Sequence, residues 1–168
     1  MKRIGILVAD FFEDSELLYP YIRLLEEGHT VDLIGAKANA VYKSKHGAEV
    51  KSTVASENAV ADHYDALIIP GGYSPDHMRR TPATVELVKA VDKQKKPIAA
   101  ICHGGWMLAS ACDLKGRKVT GFFSIKDDLT NAGAEYVDES VVVDGNLITS
   151  RTPLDLPDFM KAILKALR

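Results

Sequence analysis

The part of this 168-residue sequence best equipped for chemistry is Cys102, followed at once by His103, Gly104 and Gly105. A thiolate is a strong nucleophile, and a cysteine becomes one where its surroundings favour the ionised form. Ile98–Ile101, directly before it, is a short apolar run with the character of a buried strand. The two glycines allow a sharp turn, and Trp106, Met107 and Leu108 then open a helix. This is the layout of a nucleophile elbow, in which a tight strand-to-helix turn holds the nucleophile above the sheet. Unpaired N–H groups of the first helical turn favour negative charge there, which predicts a lowered Cys102 pKa. The competing reading is a small buried hydrophobe at a strand end. His103 either acts on the thiol as a base or contributes only its backbone N–H to an oxyanion site.

Two further groups fall at the same edge of a parallel sheet, where ligands bind beyond the carboxyl ends of strands. Pro70-Gly71-Gly72 closes the apolar run Ala66–Ile69, and the Gly72 N–H is placed to face Cys102. Glu13 follows the first strand, either as a helix-capping acid or as a carboxyl beside the thiol. Asp76 lies beyond Pro75 on a separate loop, where it either caps a short helix or reaches outward to a histidine. Cys112 reads as a packed residue near a helix end. The other histidines, His29, His46, His63 and His77, lack metal-ligand spacing, so neither a metal nor another cofactor is expected.

These groups require strands alternating with helices. Arg3–Ala9, Thr30–Ile34, Ala66–Ile69 and Ile98–Ile101 read as strands of a mainly parallel sheet. Helices are expected over 14–27, 84–95, 104–111, 125–132 and 156–167, with Pro20 as a departure in the first. Short strands are expected at 40–42, 49–54 and 119–121. Ser140–Val143 and Leu147–Ser150 flank Asp144-Gly145 and read as a hairpin. The expectation is one α/β domain over residues 1–168, with helices on both faces of the sheet.

Composition narrows the function classes. Hydrophobic residues make up 46% and charged residues 26%, ordinary for a globular chain. A net charge of −2 provides no basic field for nucleic acid. No apolar run is long enough to span a bilayer, and no signal peptide is visible. Two cysteines suit free thiols in a cytoplasmic protein.

Taken together, Phe12-Glu13-Asp14, Lys45-His46-Gly47, Pro70-Gly71-Gly72, Ala100-Ile101-Cys102-His103-Gly104, Lys126-Asp127-Asp128 and Thr149-Ser150-Arg151 resemble the DJ-1/PfpI superfamily, within it the PfpI branch of intracellular proteases and stress proteins. The resemblance runs nearly end to end. It implies a flavodoxin-like three-layer sandwich with Cys102 as elbow nucleophile. It implies that Glu13 hydrogen-bonds the cysteine and that the Gly72 and His103 N–H groups form the oxyanion hole. It further implies that Asp76 comes from a neighbouring subunit and orients His103, in dimers that assemble into hexamers. Three positions depart from archaeal relatives: Asp76 for glutamate, Gly105 for proline and Phe122 for tyrosine. The activity expected first is a cysteine-dependent peptidase. The alternatives are a glyoxalase or deglycase acting on small dicarbonyls, and a redox-sensing or chaperone stress protein.

Overall fold

The computed structural model describes residues 1–168. In chain order the elements are β1 (Arg3–Leu7), α1 (Asp14–Glu26), β2 (Thr30–Gly35), β3 (Val41–Lys43), β4 (Glu49–Lys51), β5 (Val54–Ala55), β6 (Ala66–Ile69), α2 (Ser74–Met78), α3 (Pro82–Lys93), β7 (Ile98–Ile101), α4 (Gly105–Ala111), β8 (Lys118–Val119), α5 (Lys126–Asn131), β9 (Glu135–Tyr136), β10 (Val141–Asp144), β11 (Leu147–Ser150) and α6 (Leu156–Ala166). Seven strands form one sheet in the order β10-β11-β7-β6-β1-β2-β5. Every pairing in it is parallel except β10 with β11. The pairs β3–β4, antiparallel, and β8–β9, parallel, stand apart from it.

The apolar runs explain the layers. Successive side chains of a strand point to opposite faces. Ile4, Ile6, Ile68, Ala99 and Ile101 therefore pack with Leu17 and Leu24 of α1 and Phe159, Met160 and Ile163 of α6. Leu7, Leu67, Ile69, Ile98 and Ala100 face the other way, onto Val88 and Val91 of α3 and Met107 and Leu108 of α4. A strand buried on both faces must be apolar throughout, which is why these runs do not alternate. Each fully buried side chain of this size stabilises the fold by about 1.5–3 kcal/mol relative to exposure.

Pro20 lies buried inside α1, as its seventh residue. Two expectations shift. Asp144 pairs with Leu147, so the hairpin turn is Gly145-Asn146 rather than Asp144-Gly145. Gly145 supplies the positive φ, +57°, at the first loop position. The 119–121 strand is Lys118–Val119, and it pairs with β9 rather than joining the main sheet. No helix is long and apolar enough to cross a membrane.

Candidate active site

At the carboxyl end of β7, Ile101 is extended and Cys102 turns to φ +59° before a short 3₁₀ turn leads into α4. A positive φ on a non-glycine residue is a strained backbone held by its surroundings. Several contacts hold it. Gly104 lies so close to the end of β6 that a Cβ there would meet the Ile69 carbonyl oxygen at 2.6 Å. Gly105 fits against Ile125 and Leu129, where a Cβ would be 3.0 and 3.2 Å away. The Phe122 N–H donates to the Cys102 carbonyl at 3.2 Å. The departure from proline at 105 therefore leaves a tightly packed start to α4.

Gly71 and Gly72 bring a second backbone against the elbow. A Cβ on Gly71 would lie 2.8 Å from the Cys102 Cβ and 2.7 Å from Glu16 Oε2. Gly72 has φ +69° and packs against the backbone of Phe11 and Glu13. The backbone N–H groups of His103 and Gly72 both act to favour the ionised form of the Cys102 sulfur. The two groups come from separate loops that pack together at the elbow.

The carboxyl at the thiol is Glu16, not Glu13. Glu13 sits before α1 and pairs with Lys45 Nζ at 3.1 Å. Glu16, one turn further into α1, is fully buried, and its Oε2 accepts the Gly71 N–H at 2.7 Å. That places the carboxyl beside the elbow, where Gly71 packs on the Cys102 Cβ, and its other oxygen, Oε1, has no partner in the protein. Burial pushes Glu16 up to about 8, against the lowering effect of the Gly71 N–H. Near neutral pH it therefore carries a proton. The sequence does contain a signal for Glu16: it shares the buried stripe of α1 with Leu17, Pro20 and Leu24, where an unpaired acid has no structural reason to stand.

Burial, and next the Glu16 charge, push the Cys102 thiol up, to about 12. This corrects the expectation of a lowered resting pKa: α4 is seven residues long, and its N–H groups do not offset burial. Below pH 8 the Glu16 charge is neutralised and no longer opposes ionisation of the thiol. Cys112 has the opposite neighbourhood. Burial raises it to about 12 as well, and the negative charge of Asp92, which accepts from Arg117 and Asn146, adds to the rise. Because His103 Nδ1 lies 3.3 Å from Cys102 Sγ whereas Cys112 has the negative charge of Asp92 beside it, iodoacetamide at pH 7 is expected to label Cys102 at least about tenfold faster than Cys112, read by peptide mass spectrometry. Equal rates would contradict assistance of the Cys102 thiol by His103.

The His103 ring is placed beside its own nucleophile, with Nδ1 3.3 Å from Cys102 Sγ. It stacks on Phe122, with centroids 5.0 Å apart, and meets Trp106 edge-on. Burial first, and then the Lys45 charge, hold its pKa below the ordinary histidine range, so at neutral pH the ring is uncharged. Asp76 does not reach it within the chain: its carboxylate pairs with Arg80 one turn along, at 3.0 Å to Nε. Sequence reasoning also missed Lys45, which lines the site and reaches it from the β3–β4 connection. That connection brings His46 Nδ1 within 3.0 Å of Asp14, so Glu13, Asp14 and His46 cluster despite their separation in sequence. Lys45 and Ser44 already occupy the two carboxylates of this cluster.

Glu13, Glu16, Lys45, Gly72, Tyr73, Cys102, His103, Phe122 and Pro153 line one cavity of about 410 Å³. Hollows of about 430 and 600 Å³ elsewhere are lined by no cysteine. Residues 2–166 match the sequence profile of the DJ-1/PfpI family. The chain belongs to the DJ-1/PfpI family. A deglycase of Pyrococcus abyssi is 46% identical over 166 residues, 99% of each chain. Among solved structures, a two-domain protein of Anabaena variabilis with a DJ-1/ThiJ/PfpI-like and a ferritin-like domain superposes with a TM-score of 0.97 at 43% identity. The match covers 99% of this chain and 48% of that one. Schizosaccharomyces pombe DJ-1 superposes with a TM-score of 0.88 at 26% identity, covering 99% and 92% of the two chains. The doubly covered, mainly parallel sheet is thus the flavodoxin-like fold of the DJ-1/PfpI family.

Proposed function

We propose that this DJ-1/PfpI protein is a cysteine-dependent enzyme acting on small dicarbonyls or their adducts with amines, of the deglycase or glyoxalase type. One observation carries the reading. The cavity joins a nucleophile, a buried protonated carboxyl and two backbone N–H donors in about 410 Å³, a volume suited to a small molecule. The naming of the Pyrococcus abyssi relative as a deglycase supports it. The peptidase reading, placed first from the sequence, moves to second because a peptide several residues long needs an extended groove.

The chemistry follows from the protons. His103 Nδ1 takes the thiol proton as Cys102 Sγ bonds to the aldehyde carbon. The carbonyl electron pair moves to oxygen, which receives the Glu16 proton beside the Gly72 and His103 N–H groups. The Glu16 carboxylate then removes the C–H proton of the adduct, and the neighbouring carbonyl oxygen takes a proton from His103. Return of the Glu16 proton to the second carbon, with loss of the hydroxyl proton from the first to His103, leaves a 2-hydroxyacyl thioester. Water cleaves it to the 2-hydroxy acid and regenerates the thiol. The acid that the resemblance assigns to Glu13 is here Glu16.

Homo-oligomerisation is part of this proposal. Tyr73 of the cavity wall and Phe11 are both half exposed, and their rings meet across His77. A second copy packed there would shield the cavity from water. The test of function is a parallel assay of methylglyoxal, a methylglyoxal-modified amine and a peptide panel, with wild type and Cys102→Ala. Dicarbonyl consumption that vanishes in the variant, without peptide cleavage, is expected. Cysteine-dependent peptide cleavage without dicarbonyl turnover would overturn the reading.

A further inference from the structure

We infer that Ser124 is the positioning residue of His103, fixing its tautomer from within the same chain. The inference deepens the proposed function and rests on its assignment of His103 as acceptor of the thiol proton. Ser124 Oγ lies 3.3 Å from His103 Nε2, while Nδ1 of the same ring lies 3.3 Å from Cys102 Sγ. A neutral imidazole has one donor and one acceptor nitrogen, and the partner of one nitrogen decides the role of the other. With Ser124 accepting Nε2–H, the lone pair stays on Nδ1 and faces the thiol. After transfer, Nδ1 carries the former thiol proton, and Ser124 still accepts Nε2–H. Serine serves here because its hydroxyl adds no charge to a half-buried ring.

The fold ties Ser124 to the nucleophile. It sits in the 3₁₀ turn Phe123–Ile125, directly after Phe122, whose N–H donates to the Cys102 carbonyl. Phe122 also stacks on the ring, so one short segment supplies both the stack and the hydrogen-bond partner. The charged groups around the ring are Lys45 from the β3–β4 connection, which disfavours its protonation, and Asp128 of α5, which favours it. Asp128 also accepts from Trp106 Nε1 at 3.4 Å. Glu16 of α1 is bound to the Gly71 N–H, beside the Cys102 Cβ. Asp76 of α2 is held by Arg80 and takes no part in this arrangement.

The test needs no carbonyl substrate, so it stands whether or not the proposed turnover is found. Long-range ¹H–¹⁵N spectra of full-length protein report the His103 tautomer, and iodoacetamide labelling across pH reports Cys102. Wild type is expected in the Nε2–H form. Ser124→Ala should mix in the Nδ1–H form and slow Cys102 labelling near neutral pH by about 3- to 10-fold, the range of one modest hydrogen bond. Ser124→Thr, which keeps the hydroxyl, should restore both. Asp76→Ala should change neither. Because Ser124 is exposed, its alanine variant should fold, and an unchanged melting curve checks this. A wild-type tautomer and labelling profile in Ser124→Ala would overturn the inference. So would their loss in Asp76→Ala alone, which would assign the ring to an acid from another subunit.

Discussion

Glu16→Gln is expected to lower turnover by about 10²- to 10⁴-fold while the protein stays folded. Glutamine keeps the shape and an acceptor for the Gly71 N–H, but it cannot release or take up a proton. The same variant should change how stability depends on pH. Glu16 is raised from 4.5 to about 8 in the fold, so between those values the folded state binds a proton that the unfolded chain has released. Its stabilising contribution is complete below about pH 4.5 and is lost as pH rises through about 8. In that window the loss is at most about 1.4 kcal/mol per pH unit, and Glu16→Gln should flatten it. Denaturant unfolding from pH 5 to 9 measures the difference. Glu13→Gln is the comparison, because Glu13 pairs with Lys45 at the cavity wall. If Glu13→Gln reproduced both effects and Glu16→Gln neither, the proton would belong to Glu13.

Gly72→Ala is expected to be the most damaging single-methyl change in the chain. Its φ of +69° is costly for any L side chain, by about 1–2 kcal/mol. The new Cβ would also press on backbone, which does not swing aside: the Phe11 carbonyl oxygen, the Glu13 nitrogen at 2.6 Å and the Phe12 carbonyl carbon at 2.9 Å. Overpacking of that kind adds about 1–3 kcal/mol. Any shift that relieves it carries the Gly72 N–H away from sulfur, with an expected loss of about 10²- to 10³-fold in turnover. Gly28→Ala separates the two contributions. Its φ is +77°, but nothing lies within 4 Å of its Cβ position, so only the backbone cost applies. Equal melting-temperature losses for the two variants would show that the crowding at Gly72 carries no weight.

The order of strands and helices was legible because buried parallel strands announce themselves as short apolar runs. Ala66–Ile69 and Ile98–Ile101 were found to the residue, and the elbow followed from the glycines after the second. Glu16 was harder. A helix start rich in acids, Asp14 and Glu16 after Glu13, looks like ordinary capping. Only packing α1 onto β1 shows which of them points inward. Ser124 and Lys45 were illegible for another reason. Each lies more than twenty residues from any other member of the site except Phe122 for Ser124, and nothing local marks it. The hairpin slipped by one residue because Asp144-Gly145 and Gly145-Asn146 both suit a tight turn, and strand register chooses between them. The thiol was misjudged because a helix start is visible in a sequence, whereas its burial is not.

The φ of +59° at Cys102 sets two demands on one residue against each other. Folding by itself would favour glycine at this corner, since glycine adopts that angle without steric cost. Chemistry requires the one side chain that supplies a thiol. Chains selected only for thermal endurance would drift toward glycine here and lose the nucleophile. A homologue that keeps cysteine at this corner has therefore kept a burden on its own stability, and stabilising changes elsewhere would have to offset it.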